Sequence, residues 1–134
     1  MTPAAQRRLL QCVIALAALV PLSAGGAGIV RGPEMLAGVA APVPIDLDSH
    51  YRYLSGLLLG VGLVFAACIP RIERHGPVVR AAGAIVVAGG LARLLSLLEY
   101  GLPGAGHLFG LAMELGVVPL ILVWQARVAR AFDA

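Results

Sequence analysis

Apolar residues run through this chain in long blocks, not in the narrow stripes of a surface helix. No charge interrupts the sequence from Leu9 to Val30, and further apolar blocks cover about 53–69, 77–98 and 107–124. A soluble domain would stripe or alternate its apolar positions, whereas these blocks are apolar on every helical face. About 20 helical residues cross a bilayer core, so the pattern predicts four membrane-spanning helices at 9–30, 53–69, 77–98 and 107–124. The first block follows Arg7-Arg8 and could also be read as a secretory signal cleaved near Gly25-Gly26-Ala27. Its length favours an uncleaved anchor. Residues 31–50 carry Pro33, Pro42 and Pro44 beside Glu34, Asp46 and Asp48. That density of proline predicts an irregular outer loop, with one short helix around Met35–Val39. Short connectors join the remaining spans, and residues 1–134 read as a single integral membrane domain.

Composition agrees. Of the 134 residues 60% are hydrophobic and 13% charged, and mean hydropathy is +0.92. Soluble domains carry about a quarter charged residues, so this chain has too few to coat its own surface in water. The net charge of +3 comes from arginine alone, and those arginines sit at the ends of the apolar blocks. With the N-terminus inside, Arg7, Arg8, Arg71, Arg74, Arg80, Arg127 and Arg130 are cytoplasmic, against only Arg31 and Arg52 outside. The positive-inside rule then gives an all-α, antiparallel four-helix bundle with both termini in the cytoplasm. Tyr51, Tyr53 and Tyr100 fall at the outer boundary and Trp124 at the inner one, as aromatic belts require. Basic residues are not interleaved with aromatics on one face, so nucleic-acid binding is not expected.

Cys12 and Cys68 stand apart within apolar blocks, without a CxxC pair or a histidine cluster. No metal site and no cofactor is expected from them. The chain also lacks HExxH, GxSxG and Walker patterns, and it reads as a protein other than an enzyme. Small residues recur at four-residue spacing in Gly56/Gly60, Ala84/Ala88, Gly106/Gly110 and Ala112/Gly116. Such spacing lets helix backbones approach closely in lipid, and these faces are expected to pack the bundle.

Two ionisable residues stand inside the spans, Arg93 and Glu114. Each costs about 2.5–3.5 kcal/mol at a helix centre and needs a compensating partner. Arg93 lies roughly 8 Å below the outer end of its span and Glu114 roughly 10 Å below its own, at 1.5 Å per residue. Helices joined by a short turn bring those depths together, so the two are expected to pair. His107, Gly110, Leu111 and Glu114 share one face of the fourth span. Gly89, Arg93 and Ser96 share a face of the third, and Arg52, Ser55, Gly56 and Gly60 one of the second. Convergence of the three would form a polar pocket of Arg52, Ser55, Arg93, Ser96, His107 and Glu114, with Tyr53 and Tyr100 at its mouth. Three roles are open to it: a structural clasp, a site for a small anionic ligand or lipid headgroup, or a proton or ion path through His107 and Glu114.

Three stretches carry a family resemblance: His50-Tyr-Arg-Tyr-Leu-Ser-Gly56, Gly89-Gly-Leu-Ala-Arg-Leu-Leu-Ser96, and Met113-Glu-Leu-Gly-Val-Val-Pro119 running on to Trp124-Gln125. Together they resemble the bacterial family called domain of unknown function 4345, over about residues 45 to 130. The resemblance implies a four-helix protein of a bacterial inner membrane, and it puts the family's Tyr-Arg, Gly-x-x-Arg and Glu on Arg52, Arg93 and Glu114. It implies no activity. The expected role is that of a structural or accessory membrane subunit, with the lipid bilayer and a second copy or another membrane protein as partners. The alternative is binding or transport of a small ligand through the outer pocket.

Overall fold

A computed structural model describes residues 1–133, Ala134 lying outside the described residues. Its regular structure is all helical: α1 (Pro3–Arg31), a 3-10 turn (Gly32–Met35), α2 (Ile45–Cys68), a second 3-10 turn (Ile69–Arg71), α3 (Gly76–Tyr100), α4 (Ala105–Ala112), a π turn (Met113–Val117) and α5 (Val118–Asp133). The last three run on as one fourth helix. Four helices are thus long and apolar enough to cross a membrane, over Pro3–Met35, Ile45–Arg71, Gly76–Tyr100 and Ala105–Phe132.

The helix ends follow local chemistry. Thr2 caps α1 by accepting from the Ala5 amide at 3.3 Å, and Pro3 supplies a first-turn φ that costs no hydrogen bond. Gly32 ends α1 at φ 69°, a left-handed conformation that glycine adopts without penalty. Gly101 ends α3 in the same way at φ 94°. In the fourth helix Pro119 stands two residues after the end of the π turn. Proline cannot donate to the preceding turn and crowds its carbonyl, and a widened turn just before it relieves that conflict.

The long outer loop expected over 31–50 is shorter than the sequence reading gave. Its helical turn lies at Gly32–Met35 and not at Met35–Val39, and α2 begins at Ile45, eight residues before the expected start at Tyr53. Asp46 and Asp48 fall in the first turn of α2. Carboxylates there face the positive end of the helix dipole, so these acids start a helix where they had been read as loop.

Close packing uses glycines other than those expected. A β-carbon on Gly25 would lie 2.6 Å from the Leu59 amide nitrogen and 2.8 Å from the Ser55 carbonyl oxygen. On Gly28 it would meet the Ser55 β-carbon at 2.8 Å, and on Gly62 the Leu22 side chain at 3.1 Å. Gly83 and Gly90 of α3 serve the same purpose against Leu122 and against Glu114 with Leu115. By contrast Gly56, Gly60, Gly106 and Gly116 have open space beside them, and Ala84, Ala88 and Ala112 are exposed. Four-residue spacing finds small residues without saying which way they face.

The core lies at one end. Leu10, Ile14 and Ala18 of α1, Phe65 and Cys68 of α2, Ile72 of the α2–α3 connector, Val79 and Ala82 of α3, and Ile121 and Val128 of α5 form one buried cluster. Both chain ends are there, since Arg7 stacks over the Phe132 ring at 5.2 Å. Gln125 is fully buried beside the cluster and donates its amide to the Ile72 carbonyl at 2.9 Å, tying the fourth helix to the α2–α3 connector. At the opposite end α1 packs on α2, while α4 and the π turn pack on α3 and not on α1 or α2. Leucines at 16, 19, 57, 63, 91, 95, 98 and 120 point outward. An apolar exterior of this kind suits lipid and not water.

Candidate functional site

The polar centre of the apolar helices is built on Arg93. One and two turns before it on α3, Gly90 and Val86 turn toward the fourth helix and the core. The missing side chain at Gly90 lets the Glu114 β-carbon sit against the α3 backbone, where an added β-carbon would meet it at 2.8 Å. That approach brings the carboxylate onto the guanidinium as a two-point fork. Arg93 Nε donates to Glu114 Oε2 at 2.9 Å and Nη2 donates to Oε1 at 3.0 Å. The third nitrogen, Nη1, lies 2.8 Å from His107 Nδ1. With Arg93 cationic, Nη1 is the donor and Nδ1 the acceptor, which puts the imidazole proton on Nε2. Gly110 adjoins the guanidinium, where a β-carbon would make ordinary contact at 3.5 Å.

The electrostatics explain the fork. Side-chain exposure is 33% for Arg93 and 17% for Glu114, so both charges have lost most of their surrounding water. Opposite charges in bidentate contact recover part of that loss, and the planar guanidinium matches the carboxylate edge. His107, Gly110 and Glu114 therefore all adjoin the Arg93 guanidinium, and the expected Arg93–Glu114 pair is present. Glu114 is the second residue of the π turn. The extra residue in that turn shifts the helix phase, so Glu114 addresses Arg93 while Ile121, Gln125 and Val128 address the core.

The other expected members lie elsewhere. Arg52 belongs to the α1–α2 contact: its Nε is 2.9–3.0 Å from both carboxylate oxygens of Asp48, and its Nη1 donates to the carbonyls of Ile29 and Val30. The pair nests over Gly32, where a β-carbon would meet Arg52 Nη2 at 2.7 Å and Asp48 Oδ1 at 2.8 Å. Ser55 is buried, donates to the Tyr51 carbonyl at 2.8 Å and packs on Gly28. Ser96, Tyr53 and Tyr100 are exposed. The single pocket expected from three converging faces is therefore two separate clusters, because α2 does not pack on the fourth helix. Sequence reasoning missed Asp48, although it stands one helical turn before Arg52, and it gave no role to Gln125. A lone amide at the end of an apolar block is the signal that marked the latter.

A family profile described as domain of unknown function, DUF4345, matches residues 9–125. That span contains Arg52, Arg93, His107, Glu114 and the buried Gln125. No curated protein and no solved structure matches the chain.

Proposed function

The chain belongs to the family described as domain of unknown function 4345, and we propose that it serves as a structural or accessory subunit of a bacterial inner membrane, not as a catalyst. In this reading it is an antiparallel four-helix bundle with both termini in the cytoplasm. Helix contacts that pair residue 11 with 69, 22 with 62 and 25 with 59 support the antiparallel course. Gathering of the termini and the α2–α3 connector at one arginine-rich end supports the orientation.

The observation that carries the role is the occupancy of Arg93. Each of its three nitrogens already has a partner within the chain. A guanidinium so engaged, with three of its five N–H donors taken within the chain, fastens α3 to the fourth helix. Fastening is needed there, because α4 rests on no other helix. Glu114→Gln and Arg93→Ala are each expected to lower stability in detergent by about 1–3 kcal/mol, since each leaves a desolvated partner unpaired. The double variant R93A/E114Q should lose less than the sum of the two. Additive losses, or stabilisation of wild type by small anions that R93A abolishes, would replace the clasp with a ligand site.

A further inference from the structure

Where the two termini meet, a cavity of about 600 Å³ opens beside Arg7, Arg74 and Arg80, with Glu73 and Phe132 among its walls. Three arginines and one carboxylate line it. Arg7 Nη1 is 3.5 Å from Glu73 Oε1, the longest of the chain's ion pairs among the described residues. Arg74 and Arg80 form no ion pair with any acid from Glu34 to Glu114. Arg7 Nε and Glu73 Oε2 are both buried without a hydrogen bond. Burial closes both atoms off from the cavity, so the charge that a ligand can reach there is that of the exposed Arg74 and Arg80.

Arg80 is the most telling of the three. Its Nη1 folds back on the first turn of its own helix, so that a β-carbon on Gly76 would meet it at 2.9 Å. A cation set against the positive end of a helix is repelled there unless an anion stands between them. We propose that this cavity binds a phosphate group, held by Arg74 and Arg80 at the N-terminus of α3. A phosphodiester headgroup at the membrane boundary and a free phosphate share this chemistry. The volume is that of an ordinary small-ligand site, and basic pockets between membrane helices are suited to anionic headgroups.

The test uses the full chain in an uncharged detergent, with phosphatidylglycerol, phosphatidylcholine or inorganic phosphate added. Retention in native mass spectrometry and thermal stability are the readouts. Phosphatidylglycerol should be retained in preference to phosphatidylcholine, and R74A/R80A should weaken it roughly thirtyfold, about fivefold per arginine. R93A, at the far end, should leave it unchanged. Stabilisation by inorganic phosphate without a preference between the lipids would assign the site to a free phosphate. Should R74A/R80A not fold, the wild-type competition decides alone. Equal retention of both lipids with no effect of phosphate, or a preference untouched in R74A/R80A, overturns the proposal.

Discussion

At the scale of single residues, membrane energetics spoke louder than pattern. Arg93 and Glu114 could be picked out because a charge amid apolar helix demands a partner, and their depths matched. Arg52 was assigned to the wrong group. Its true partner, Asp48, stood in a stretch read as loop, so the four-residue spacing that joins them went unused. Gln125 shows what one buried amide contributes. It is fully enclosed, and its amide is the hydrogen bond that the Ile72 carbonyl receives from α5. Gln125→Leu fills similar space and leaves that carbonyl unpaired, though it also removes the buried, unpaired Oε1 of the amide, and a net loss of about 1 kcal/mol is expected in a detergent melt. Q125L as stable as wild type would mean that the connector finds another donor.

At the scale of elements, the count of helices and their apolar middles were legible, because hydropathy reports them directly. Their ends were less so. Asp46, Asp48 and His50 lowered the hydropathy of the first turns of α2, although carboxylates favour that position in a helix. The π turn left no mark in an apolar sequence, where a change of phase alters nothing that composition can register. The packing glycines were legible as glycines and not as interfaces. Gly25→Val should therefore cost about 1–3 kcal/mol, as its β-carbon would press on the Leu59 backbone. Gly60→Ala, with open space beside it, should be neutral or more stable by up to about 1 kcal/mol through helix propensity. Parallel melts of the two variants separate the contact face from the free one, and equal effects would reverse the assignment.

At the scale of the whole molecule, orientation rests on the arginine-rich end that holds both termini and the α2–α3 connector. A reporter enzyme active only outside the cytoplasm should stay silent when fused after the last residue, and should be active when inserted in the 36–44 connection. Activity at the C-terminus would invert the proposed topology. The shape of the packing also bears on how the protein tolerates change. One cluster of side chains, from Leu10 to Val128, joins the two helix pairs, and beyond it the Arg52–Asp48 and Arg93–Glu114 groups touch no common neighbour. Sites that share no contacts have independent effects. Variation in one prong is therefore invisible to the other, and each can drift through sequence space at its own pace while the shared root stays fixed.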